Sequence, residues 1–226
     1  MMRESLSATA VVVLLVSCTS GGAPRSPADS TASFTDGEAS LITRAGPDEP
    51  MEIVANDSEA GDAFLRGNGL PVDPSDPLLA LLEARMRATL LEAKGVGIAA
   101  PQVGIGRRVI LVQRKDMEPE QPVLLYLNPR IVEMSDGKLI DWEGCLSIPA
   151  GFGRVYRAAS IVVEHVSAEG EAVSEFVSGY TARIFQHEID HLDGVLFIDV
   201  KEPGKLMPED EYRQMKALEK EQEGQG

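Results

Sequence analysis

The chain has 226 residues, 43% hydrophobic and 25% charged, enough for one domain with a sizeable core and spare length for extensions. A formal net charge of −15 with no Lys/Arg cluster excludes a duplex nucleic-acid binder, since phosphate repels such a surface. The two cysteines, Cys18 and Cys145, sit in unlike settings, which excludes a disulfide framework.

The first eighteen residues contain "ATAVVVLLVSC", apolar but too short to span a bilayer and shaped like the h-region of a secretory signal. "LVSC" resembles the bacterial lipobox, so Cys18 is the expected lipidation site. That places the protein in the cell envelope, touching the membrane only through a lipid anchor; a misread start leaves it cytoplasmic. Residues 19–50, rich in Ser, Gly, Pro and Ala, are expected to be a disordered tether. Residues 51–226 form one catalytic domain, with "AFLRGNGLPV" (Ala63 to Val72) marking the onset of compact structure.

A helix is predicted from Asp76 to Lys94, capped by Asp76, with Pro77 at its first position and Gly95 ending it. Leu78, Leu82, Met86 and Leu90 share one face. Strand-like runs follow at Arg107 to Gln113, Val123 to Glu133 and Ala159 to Val166, the last turning through "SAEGEA" into "VSEFV". "QHEIDHLDG" (Gln186 to Gly194) belongs to a helix from about Gly179 to Asp193, stopped by Gly194. A last helix, "PEDEYRQMKALEK", opens on Pro208 and acids and closes on Lys220, as the helix dipole favours. The fold class is α+β: mostly antiparallel sheet around a central metal-binding H-E-x-x-H helix, with an N-terminal and a C-terminal helix.

Residues four apart share a helix face, so His187 and His191 point together and can reach one ion. Glu188 stands one position off that axis, free to act as a base. A catalytic site of this type takes three protein ligands and leaves a corner for water. "HLDGVLF" offers only Asp193; Cys145, in "WEGCLSIP", is the better third ligand. Such an ion lowers the pKa of its water to about 7. The oxyanion formed on attack needs donors, and Gln102 in "GVGIAAPQVG" can supply one. That segment also fits G-x-G-x-x-A, but it follows a helix and runs into Pro101 and a strand, which is the wrong context for a dinucleotide. Its glycines instead let a peptide backbone approach closely.

Taken together, "GVGIAAPQVG", "WEGCLSIP" and "QHEIDHLDG" resemble the three signatures of the peptide deformylases, in order, over roughly Leu65 to the last helix. The resemblance implies Cys145, His187 and His191 as metal ligands, Glu188 as general acid/base, and Gln102 with the backbone N–H of Leu146 as oxyanion donors. It further implies Gly97 as a contact to the substrate backbone, and Val96, Tyr180 and Ile184 around a methionine side chain. The implied reaction removes the N-formyl group from N-formylmethionyl peptides or nascent chains, with Fe(II) as usual metal and Zn(II), Ni(II) or Co(II) as alternatives. The protein is expected to be a monomer. Some members of that family carry a substrate-contacting arginine seven residues after the cysteine; here Phe152 stands there, with Arg154 or Arg157 as candidate substitutes. Two rival functions are an amidase or peptidase acting on envelope peptides, and a formyl-peptide binding module without turnover. His165 reads as a surface strand residue, Trp142 as packing beside the cysteine loop, and Glu143 as a hydrogen-bonding support of that loop.

Overall fold

The computed structural model describes residues 32–223, and Cys18 with its flanking signal segment lies outside them. Five strands form one antiparallel sheet in the order β1-β2-β3-β6-β7: β1 (Gly97–Ala99), β2 (Val109–Gln113), β3 (Val123–Met134), β6 (Ser160–Val166) and β7 (Ala172–Ser178). A separate antiparallel hairpin joins β4 (Lys138–Cys145) to β5 (Ile148–Ala158). The architecture is therefore α+β with antiparallel sheets.

The side-chain alternation of β2 organises both faces of the large sheet. Val109 and Leu111 join Leu82, Met86 and Leu90 of α3 (Leu79–Glu92), while Ile110 and Val112 join Ile184, Phe185 and Ile189 of α4 (Gly179–Leu192). A strand covered on both faces reads as an unbroken apolar run, and V-I-L-V does. The hairpin has its own small core, in which Ile148 and Val155 meet Leu196 and Phe197, the latter opening α5 (Phe197–Val200). Gln186 fastens α4 to the end of β5, accepting from the Ala158 N–H at 2.9 Å and donating to the Ala158 carbonyl at 3.0 Å.

The expected tether is folded from Ala32 onward. Thr35 and Glu38 form a capping box at the start of α1 (Asp36–Ile42), and Ile42 is fully buried in the α3 core. The buried Arg85 guanidinium donates to the carbonyls of Leu41, Ile42, Glu49 and Pro50, and Arg107 pairs with Glu38 at 2.9 Å. These bonds give a polar segment an enthalpic reason to order that its composition does not reveal. A short helix α2 (Glu59–Leu65), capped by Ser58, likewise precedes the expected onset at Ala63.

The predicted helix at Asp76 begins later, at Leu79, because the Asp76 carboxylate is shared between Leu78 N–H at 2.9 Å and Phe34 N–H at 3.2 Å. At its other end Lys94, not Gly95, takes the left-handed conformation, with φ of 54°. Gly95 is needed for space instead, since a Cβ there would stand 2.7 Å from Leu90 Cδ1. The helix around "QHEIDH" ends as expected, with Gly194 at φ of 71°. The last helix, α6 (Glu209–Glu223), begins right after Pro208. His165 is not a surface residue: its side chain is 7% exposed, its Nε2 lies 3.3 Å from Glu175, and its ring meets Tyr126 edge-on.

Candidate active site

Three elements bring the chemistry together. β1 and the following 3₁₀ turn (Ala100–Val103) carry Gly97 and Gln102, the tip of the β4–β5 hairpin carries Cys145 and Leu146, and α4 carries His187, Glu188 and His191. Among the described residues, Cys145 Sγ and one nitrogen from each histidine lie within 4.8 Å of one another, with Sγ 3.1 Å from His191 Nε2. The opposite nitrogen of His187, Nδ1, lies 3.0 Å from Glu143 Oε2. A carboxylate there holds the proton on Nδ1 and leaves Nε2 as the basic nitrogen of the ring.

Glu143 is 6% exposed and also accepts from Arg157 at 2.9 Å and Arg183 at 2.7 Å. Burial raises its carboxyl pKa, but the bonds from His187 and Arg157 more than offset this and hold it well below the usual carboxylate range. Sequence reading gave Glu143 only as a loop support. Its bond to a candidate ligand was missed, and the position of Glu143 two residues before Cys145 in "WEGC" was the available signal.

Burial raises the Cys145 pKa, yet the charge of His191 and hydrogen bonding from His187 and His191 bring the thiol down to about 5, so the thiolate prevails at neutral pH. Glu188 goes the other way. Burial, only partly countered by His187 and His191, pushes its carboxyl up to about 7, and its Oε2 is buried without a hydrogen-bond partner among the described residues. A proton acceptor poised near neutrality with a free oxygen suits acid–base work.

Gln102 is buried; its Oε1 accepts from Ala99 N–H at 2.8 Å, which aims Nε2 at Cys145 Sγ and Ser147 Oγ, each 3.4 Å away. The loop bearing Gln102 and the hairpin tip are tied to one segment, because Val54 N–H donates to the Gln102 carbonyl and Asn56 N–H to that of Ser147. A cleft of about 610 Å³ joins Cys145, His187 and Glu188 to Gln102, Leu146, Val96, Gly97, Tyr180 and Ile184. His191 is 1% exposed, at the base of the group. Asp193 instead pairs with Arg108 at 2.6 Å. Arg157 is held by Glu143 and Asp190, and Arg154 lies 3.8 Å from Glu202; neither lines the cleft, whereas Phe152 does.

A cysteine sulfur and one nitrogen from each of two imidazoles within 4.8 Å of one another, beside a carboxylate oxygen without a partner among the described residues, fit a divalent cation. The comparisons agree with that fit. The sequence profile of the family described as "Polypeptide deformylase" matches residues 54–206. The chain is similar to the peptide deformylases of Desulforudis audaxviator, 41% identical over 138 residues (61% of this chain, 87% of the relative), and of Halothermothrix orenii, 43% identical over 139 residues (62% and 88%). Among solved structures it resembles a Met-Ala-Ser-bound class I type b peptide deformylase from Acinetobacter baumannii, with TM-score 0.60 and 36% identity over 67% of this chain and 98% of that one. The peptide deformylase of Thermotoga maritima gives a TM-score of 0.61 and 37% identity over 69% and 99%.

Proposed function

The chain belongs to the polypeptide deformylase family, and from that membership we propose how its own residues remove the N-formyl group from N-formylmethionyl peptides and nascent proteins, releasing formate. It is a metal-dependent enzyme. Cys145, His187 and His191 are the proposed ligands, with Fe(II) as proposed occupant and Zn(II), Ni(II) or Co(II) as substitutes. A divalent ion held by these three residues would supply Lewis acidity and lower the pKa of a water it binds.

Glu188 takes the proton of the attacking water on its free oxygen and passes it to the departing amine nitrogen, so that one carboxyl serves as base and then as acid. Gln102 Nε2 and the Leu146 N–H stabilise the oxygen of the formyl carbon as it becomes anionic. The substrate backbone runs beside Gly97 on β1, an edge strand of the large sheet, where strand addition is open to it. Val96, Tyr180 and Ile184 surround the methionine side chain.

The observation that carries this reading is the convergence of Cys145, His187 and His191 beside the unpartnered Glu188 oxygen. Full-length protein loaded with Fe(II) under anaerobic conditions should release formate from formyl-Met-Ala-Ser. Glu188→Gln should retain the metal while losing about 10²- to 10⁴-fold in kcat. Absence of formate release at full metal occupancy would reject the assignment. Export by lipidation at Cys18 and a monomeric state also form part of the proposal. Mass spectrometry of the mature N-terminus tests the first, and light scattering the second.

A further inference from the structure

The cleft does not end at the methionine pocket. Beyond Cys145 it continues along Trp142 and Phe152 to Glu209, Tyr212 and Arg213 of α6. Phe152 and Tyr212 stack in parallel, ring centroids 3.9 Å apart at 9°, and Trp142 meets Tyr212 edge-on at 6.1 Å. All three rings are half-buried, so part of each faces the cleft instead of a core.

Two features fix this wall next to the chemistry. Phe152 exchanges both backbone hydrogen bonds with Met207, each 2.8 Å, which ties the start of α6 to β5. Gly151, at φ of 129°, permits that pairing because a Cβ would collide with the Met207 carbonyl. Gly144, the neighbour of Cys145, lies directly beneath the Phe152 ring: a Cβ there would be 2.8 Å from Cδ1 and 2.9 Å from Cζ. The aromatic surface thus begins one residue from the sulfur and extends outward, where a peptide anchored by its formyl end must continue.

We propose that Phe152, Tyr212 and Trp142 form a subsite that binds an apolar, preferentially aromatic, side chain at one of the first two positions after the methionine. This makes them specificity-determining residues and α6 part of the substrate site. The inference rests on the deformylase reading. Aromatic faces favour offset-stacked and edge-on partners, whereas a glycine at the same position offers them nothing.

The test uses the metal-loaded full chain and two peptide series, formyl-Met-X-Ala-Ser and formyl-Met-Ala-X-Ser, with X as Phe, Leu, Gly or Asp, alongside formyl-methionine amide. At one position kcat/KM should be about 5- to 10-fold higher for Phe than for Gly, carried mostly by KM. Tyr212→Leu should bring that ratio close to one, whereas Tyr212→Phe should preserve it. A merely structural stack would lower activity on all peptides alike and leave the ratio unchanged. Wild-type ratios near one at both positions, with formyl-methionine amide turned over, overturn this inference alone. Failure to turn over any formylated substrate overturns the deformylase reading with it. Should Tyr212→Leu not fold, the wild-type ratios still decide.

Discussion

Gly97→Ala tests the site at its most crowded point. A Cβ on Gly97 would stand 2.8 Å from Ile184 Cγ2 and 2.9 Å from the Glu188 carboxyl carbon, and closer still to Glu188 Oε1. Ordinary van der Waals contact begins near 3.4 Å, so the carboxyl must retreat by about half an ångström at its carbon and further at its oxygen. Both neighbours sit on α4, which Gln186 clamps to β5, so the side chain has to yield before the helix does. A misplacement of about 1 Å costs on the order of 100-fold, so kcat/KM on formyl-Met-Ala-Ser should fall roughly 10- to 100-fold. Overpacking should cost about 1–3 kcal/mol of stability, and metal content should stay unchanged. In the Glu188→Gln background the same substitution should lower kcat little further, because both changes act on one proton transfer. A folded Gly97→Ala enzyme with wild-type kcat/KM would refute the reasoning, as would full additivity with Glu188→Gln.

Ile42→Ala should cost about 2–5 kcal/mol in urea denaturation, because Ile42 is fully buried; a tether at residues 19–50 would make it silent. Glu143→Gln should weaken metal binding about 10- to 100-fold in a chelator competition, by releasing His187 Nδ1 from its anionic acceptor. It should also destabilise the fold by several kcal/mol through loss of charge beside Arg157 and Arg183, roughly 3–5 by analogy with broken buried pairs. Metal added at a hundred times its dissociation constant should stabilise by about 2.7 kcal/mol. That raises Tm by roughly 5–10 °C for a domain of this size, and Cys145→Ala should abolish the shift. Burial raises the Glu175 pKa, but His165 and Arg114 outweigh it and hold the carboxyl below its ordinary value. Its stabilisation is therefore complete above the unfolded value of about 4.3 and is lost as pH falls through the lower folded value. Glu175→Gln should flatten that acid limb in unfolding measured between about pH 5 and 2.

The sequence made some elements plain because a single periodicity or a cap dominates them. α4 shows it: a glycine stop, and apolar residues in register with His187 and His191. The β4–β5 hairpin was less visible, because Gly144, Pro149, Gly151 and Gly153 interrupt its alternation. Gly144 makes room for the Phe152 ring, Gly151 for the Met207 backbone, and Gly153 for Lys201, Phe197 and Leu206, close approaches that no local pattern encodes. α1 was hidden by composition, although Thr35 and Glu38 stood at capping-box spacing and would have revealed it. The residues expected to carry the chemistry fall around one cleft, since each lies in a motif whose spacing its chemistry dictates. Phe152 and Tyr212 belong to no such motif, and Trp142, though it opens "WEGCLSIP", has no chemical role in it. Their meeting depends on where α6 docks, a long-range contact absent from any short window.

The pair of hydrogen bonds between Gln186 and Ala158 has an outcome for heat inactivation. One amide side chain completes the last rung of a strand and, in the next residue, the chain presents His187. The imidazole cannot drift without tearing that rung, and the rung persists while the hairpin and the large sheet keep their mutual seat. Warming should therefore erase turnover and tertiary structure along a single sigmoid, with no temperature range in which an intact molecule is idle.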